Sequence, residues 1–288
     1  MHLHFPFSTV EVLWTLTFAA QLVLLVVLLG RERMARFPWF TTGIILVALR
    51  VLSARVLYSR LPALTFNAIL IALADAGFLT GVMVLVEMAR RSFRGAGRTA
   101  WLVWTVVLLA IGGVVIRYWG PWPAWKTIAA NSKLAALLTM QLVAQKGEML
   151  VGVLTILLTV LVVLFGRSFR AGWKSHPQRI LIGLSTAAIA QLGVQAIWEI
   201  IVAHTRPTTR EQYERVVGMH DKILNANSAV YILVLVWWIA VLWKDDPHAP
   251  PRAVAPAKNA AAPESNDAAG QLPADEASSP READPAGH

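Results

Sequence analysis

Residues 64–87 read LTFNAILIALADAGFLTGVMVLVE, twenty-four residues in which Asp75 is the one charge before the closing Glu87. Coiled as a helix at about 1.5 Å per residue, the stretch is about 36 Å long, enough to cross a hydrocarbon core about 30 Å thick. Working outward, similar runs recur, and seven are expected: about 10–30, 38–58, 64–87, 99–118, 148–166, 179–202 and 223–243. The 288 residues are 56% hydrophobic and 15% charged, with a mean hydropathy of +0.55. A soluble fold would have far more apolar side chains than interior to hold them. Runs of helix length leave no room for the alternating ten-residue segments of a membrane barrel. The expected fold is all-α, a polytopic membrane protein of seven transmembrane helices.

Charge sets the expected orientation. The connections after the first, third and fifth spans hold Arg31, Arg33 and Arg36, then Arg90, Arg91, Arg94 and Arg98, then Arg167, Arg170, Lys174 and Arg179. The opposite connections are more dilute in cations and also carry Glu211, Glu214 and Asp221. The positive-inside rule then puts the N-terminus outside and the C-terminus in the cytoplasm, in the plasma (inner) membrane. The first span is read as retained, because Glu11 precedes it and its cations follow it, the reverse of a cleavable signal peptide. The isoelectric point near 10.3 belongs to this topology and to anionic headgroups, and no nucleic-acid partner is expected. Three regions follow: an outer segment 1–9, a seven-helix domain 10–244 and a cytoplasmic tail 245–288. The tail holds 8 Pro, 13 Ala and 8 acidic residues in 44, a composition that reads as disordered. The stretch WGPWPAW, 119–125, reads as a non-helical interfacial loop. Residues 126–147 are either an outer amphipathic helix or a long extension of the fifth span, and 203–222 an outer connection with a short helix after Pro207.

Much chemistry is excluded by absence. Without cysteine there is no disulfide, thiolate metal site or thiol nucleophile. All seven histidines fall outside the expected spans, which disfavours a haem held between helices. No HExxH, GxSxG, SxxK or phosphate-cradling glycine loop occurs. His204, His220, Asp221 and Glu199 could gather into an outer metal site, but no ligand spacing demands it. No catalytic residue, cofactor or metal is therefore assigned. Seven helices with an outer N-terminus also suggest retinal proteins and G-protein-coupled receptors, but the last span has no lysine for a Schiff base, and only the topology agrees with the second group.

The polar groups inside the spans are the informative ones. Counted from the cytoplasmic boundary, Arg50, Asp75 and Gln191 each lie twelve residues in, about 18 Å, and Gln21 and Tyr231 fall at similar depth. An isolated charge there costs about 3 kcal/mol on insertion scales, so each should face the bundle and find an opposite charge. The second and third spans are joined by a short loop, which makes Arg50 with Asp75 the expected pair. Gln191, Gln195 and Glu199 follow i, i+4, i+8 spacing toward the outside, where Asn225, Asn227, Asn67 and Glu148 are also expected, while the inner half is poorer in such groups. Polar residues can also simply glue helices together. A polar funnel open outward fits a binding pocket better, and its expected ligand-binding residues are Arg50, Asp75, Gln191, Gln195, Glu199, Tyr231 and Asn227.

The exit from the third span, Glu87 to Arg94 (EMARRSFR), and the Asn-rich start of the seventh, NANSAVY, resemble those of uncharacterised bacterial seven-helix membrane proteins, over roughly residues 10–244. The resemblance implies the same architecture and no assigned activity. The expectation from sequence is a receptor-like or accessory protein, embedded in the lipid bilayer, that binds a small molecule or lipid from the outer side and signals through a separate cytoplasmic or membrane protein. The alternative is a transporter or channel in which the same polar layer is a substrate or proton site.

Overall fold

The computed structural model describes residues 8–58, 60–93, 98–119, 122, 134–165, 175–205 and 209–244. Among them the regular structure is entirely helical, with no strand. Helix α1 spans Thr9–Gly30 and starts at a capping box, in which the Glu11 N–H donates to Ser8 Oγ at 3.3 Å and the Ser8 N–H to Glu11 Oε2 at 3.2 Å; each side chain satisfies an amide that the first turn would leave unbonded. It ends where Glu32 adopts a left-handed φ of 53°, turning the chain into the short α2, Arg33–Arg36. Pro38 opens α3 (Pro38–Val56), at a position where its missing N–H costs nothing. The remaining helices are α4 (Ala63–Ser92), α5 (Arg98–Tyr118), α6 (Ala135–Phe165), α7 (His176–His204) and α8 (Arg210–Trp243).

Six of these, α1, α3, α4, α6, α7 and α8, are long and apolar enough to cross a membrane, whereas the apolar part of α5, Leu102–Tyr118, is shorter. The outer surface agrees with such a setting. Val26, Leu79, Val106 and Leu233 are 65, 61, 65 and 68% exposed, an apolar exterior that water would not tolerate over so many helices. Residues 135–147 are the beginning of one continuous α6, so over these residues the extension is the alternative observed; 126–133 lie outside the described residues. Residues 210–222 likewise belong to a single α8 rather than to a separate short helix. Residues 1–7 of the expected outer segment 1–9, the tail 245–288 and most of 120–133 lie outside the described residues.

Side-chain pairings fix the directions. Arg55 with Glu11 and the Trp14 indole with the Val51 carbonyl make α1 and α3 antiparallel. Phe40 with Glu87 does the same for α3 and α4, and Trp198 with His220 and Trp238 with Ile180 for α7 and α8. Two neighbouring pairs run parallel. Gly147 sits against Phe78 and Gly81 against Val151 between α4 and α6, and Gln21 meets Tyr231 while Arg33 meets Lys244 between α1 and α8. Around the bundle the order is α1, α3, α4, α6, α7, α8 and back to α1, a closed ring of six. Helix α5 stands outside it and, among the described residues, packs chiefly along α6. The upper end is taken as that where α1 begins, the lower end as that where α8 finishes. The fully buried apolar side chains, among them Leu24, Leu28, Phe37, Phe40, Met88, Ile180, Leu181, Leu235, Trp238 and Leu242, all fall in the lower half. A smaller buried cluster, Ile116, Met149, Val153 and Leu192, lies where α5, α6 and α7 meet.

Candidate functional site

Above this core a cavity of about 610 Å³ runs down the centre of the ring. Every ring helix lines it and α5 does not: Thr17 comes from α1, Phe40 to Arg50 from α3, Leu73 to Leu85 from α4, Glu148 to Thr155 from α6, Leu184 to Gln195 from α7 and Leu224 to Trp238 from α8. Its length follows from the helices. The stretch of α4 that faces it covers twelve residue steps, about 18 Å, so the space is elongated along the bundle. Its walls are apolar at the bottom and polar toward the top, where Arg50, Glu148, Gln195, Asn227 and Ser228 line it.

Of the seven residues singled out from sequence, Arg50, Gln191, Gln195, Asn227 and Tyr231 line this cavity. The other two do not, and the expected Arg50–Asp75 pair is not formed. Arg50 Nη1 instead donates to Glu148 Oε1 at 2.7 Å. The reason is azimuth. Helix α4 presents Leu73, Gly77, Phe78, Gly81, Val84 and Leu85 to the cavity, and Asp75 is two residues, about 200°, away from both Leu73 and Gly77. The depth of Asp75 was read from sequence, but depth says nothing about which side of the helix it occupies. Asp75 is half-buried, and its Oδ1 is buried without a hydrogen-bond partner among the described residues.

Glu199 is the second departure. Each i, i+4 step rotates a helical stripe by about 40°, so Gln191 and Gln195 share the cavity wall while Glu199 has turned into a shallow depression with Val115 and Tyr118 of α5 and Trp119 just beyond it. Glu148 was placed at the head of its helix. Because α6 starts at Ala135, it lies thirteen residues, about 20 Å, below that helix's tip and inside the cavity wall. Gln21 is fully buried and its Nε2 donates to the Tyr231 hydroxyl at 3.5 Å, so the two helices meet at the level expected. Among the described residues no three His, Asp or Glu side chains gather to hold a metal. His204 hydrogen-bonds the Ile200 carbonyl at 2.9 Å and the His220 ring lies 4.1 Å from that of Trp198.

The lower end departs most from the sequence reading, which left it poor in polar groups. Arg33, Glu87, His176 and Gln178 are all buried there. Glu87 Oε2 accepts the N–H of Phe40 at 3.2 Å, capping the first turn of α3 from another helix, and its Oε1 meets Arg91 at 3.3 Å. Arg91 also donates to the Arg36 carbonyl, and Arg33 to the Lys244 carbonyl at 2.7 Å. These bonds tie α2, α3, α4 and α8 together beneath the cavity. The floor itself is aromatic: the Phe40 ring meets Trp238 edge-on, centroids 5.1 Å apart at 87°. The Trp238 indole donates to the Ile180 carbonyl at 3.3 Å. No sequence pattern marked this network, because Arg33 and Glu87 read as turn and boundary residues.

The arrangement can bind, hold and orient; it places no nucleophile beside a base among the described residues. No family model matches the chain, and neither the curated proteins nor the solved structures include one similar to it. The class is therefore defined by the fold: an all-helical protein with six helices long and apolar enough to cross a membrane.

Proposed function

We propose that this chain is a plasma-membrane (inner-membrane) protein of seven transmembrane helices, α5 being the seventh, with its N-terminus outside and its C-terminus in the cytoplasm. It takes an amphiphilic small molecule or a lipid from the outer side into the central cavity and reports occupancy to a separate protein partner. The observation that carries this reading is the cavity itself: polar at the upper mouth, apolar at depth, and closed below. Such a gradient suits a ligand with a polar head and an apolar tail. The arginines of the lower end support the orientation. A route for reporting is also present. A ligand tail reaching the floor touches Phe40, whose own backbone N–H is held by Glu87, which in turn holds Arg91 and through it the α2 turn. A ligand shifts such a contact only if it prefers one arrangement over the other.

The test compares two substitutions on one helix. Ala188 lines the cavity and Ile189 is 56% exposed on the outside. Ala188→Phe should abolish lipid retained in native mass spectrometry of the purified protein, and Ile189→Phe should leave it unchanged. Equal retention by both, in monodisperse protein of unchanged Tm, refutes the reading. Transport is the competing use of the same space, and the polar bonds beneath the floor weigh against it; saturable uptake of a zwitterionic amphiphile into proteoliposomes would reverse that order.

A further inference from the structure

The mouth of the cavity carries a more specific message, which rests on the binding reading above. Helices α3 and α6 are not neighbours; α4 stands between them. The Arg50–Glu148 pair therefore reaches across the opening rather than stapling two packed helices. It is also incompletely used. Arg50 makes one hydrogen bond, through Nη1, and Glu148 accepts one, through Oε1, although a guanidinium has five N–H donors and a carboxylate about four acceptor positions. Beside them the Gln195 side-chain oxygen is buried with no hydrogen-bond partner. Donors and acceptors of opposite charge thus stand together with a net charge of zero, directly above an apolar shaft lined by Ile44, Leu184 and Trp238.

We propose that the cavity selects a zwitterionic amphiphile whose head bears an oxyanion and a primary ammonium. On entry the internal pair opens. Arg50 takes the oxyanion, where its planar fork can bind two oxygens, while Glu148 and Gln195 accept the ammonium N–H groups. One ion pair is exchanged for two and no charge is left alone. A purely anionic head would meet Glu148 as a like charge, and a purely cationic head would meet Arg50; the pair is only part-buried, with side chains 46% and 27% exposed, so the discrimination comes from like-charge repulsion against the wrong head. A quaternary ammonium matches the charge but has no N–H to donate.

The test uses the full-length protein in detergent, offered phosphatidylethanolamine, phosphatidylcholine and phosphatidylglycerol of matched chains, with bound lipid counted by native mass spectrometry. Phosphatidylethanolamine should be retained at least about tenfold over phosphatidylglycerol, with phosphatidylcholine between. Glu148→Gln leaves the mouth with one positive charge and should invert the order in favour of phosphatidylglycerol, a result that loss of packing alone would not give. The charge-exchanged double variant Arg50→Glu/Glu148→Arg should restore the original order. An unchanged order in Glu148→Gln, or equal retention of all three lipids by the unaltered protein, overturns the proposal. If Ala188→Phe still abolishes retention in that case, the cavity reading stands and only head selection falls. Free phosphoethanolamine competing as well as the lipid would assign the mouth to a water-soluble zwitterion and overturn the amphiphile.

Discussion

Two glycines of α7 ten residues apart should respond to the same substitution with opposite signs. A Cβ on Gly193 would meet nothing within 4 Å, whereas one on Gly183 would overlap the Trp238 indole, with ring carbon Cε2 at 2.7 Å. Helix propensity alone favours alanine over glycine by about 1 kcal/mol, and at Gly193 that gain should appear nearly whole. At Gly183 the added methyl must displace a ring that is 1% exposed, packed edge-on against Phe40 and bonded to the Ile180 carbonyl. Overpacking of this kind costs about 1–3 kcal/mol, and losing the indole bond costs about 1 kcal/mol more. Gly183→Ala should therefore destabilise by a net of about 1–3 kcal/mol while Gly193→Ala stabilises by up to about 1 kcal/mol. Equilibrium unfolding in mixed micelles, followed by tryptophan fluorescence, measures both. If the two variants shift stability alike, the indole does not rest against the helix backbone as described, and the aromatic floor loses its basis.

The ion pairing at the mouth can be read by double-mutant cycles: Arg50 with Glu148 should couple by at least about 0.5 kcal/mol, while Arg50 with Asp75 should be additive within about 0.5 kcal/mol. Coupling to Asp75 instead would reinstate the pairing expected from sequence. Glu87→Ala orphans the Phe40 N–H and removes one of the two bonds of Arg91, and should lower stability by about 1–3 kcal/mol in thermal unfolding, with Glu87→Gln recovering part of the loss because its side-chain oxygen can still accept the amide; equal losses would show that the cap contributes nothing. Ser8→Ala removes one half of the α1 capping box and should cost about 0.5–2 kcal/mol, with hydrogen exchange rising in residues 9–12 only; no change there would mean that the box is not formed in the membrane environment.

The helices were legible in the sequence because twenty apolar residues in a row have few physical alternatives, and observed ends at Thr9, Pro38, Ala63 and Arg98 fall within one residue of those read from composition. The extension at 135–147 was one of two alternatives left open by the sequence, while the failure of extent at 210–222 is a segment too polar to register as lipid-facing yet able to continue a helix already nucleated below it. Within the site, depth was readable and direction was not. Five of seven residues reached the cavity because polar groups in a span face inward more often than not, but Asp75 and Glu199 show that a ruler along the axis leaves rotation about it undetermined. Glu148 was seen and misplaced, because its depth was counted from the wrong helix start. The Glu87 network was invisible for another reason: it uses backbone groups of α2, α3 and α8, which carry no signature in side-chain pattern.

The exclusion of α5 from the ring has a consequence for how such a chain can be assembled. Helices α1, α3 and α4 run down, up and down, and α6, α7 and α8 repeat the same sequence of directions, with each trio meeting the other through a parallel contact. A unit of three helices finishes at the opposite end of the bundle from where it began, so a second unit of like sense cannot be joined to it directly. One more helix must carry the chain back, and α5, antiparallel to α6 with Trp104 against Phe165 at one end and the Trp119 carbonyl accepting from Lys146 at the other, does so. Its place is set by parity more than by the cavity, whose six helices form their ring through contacts with one another.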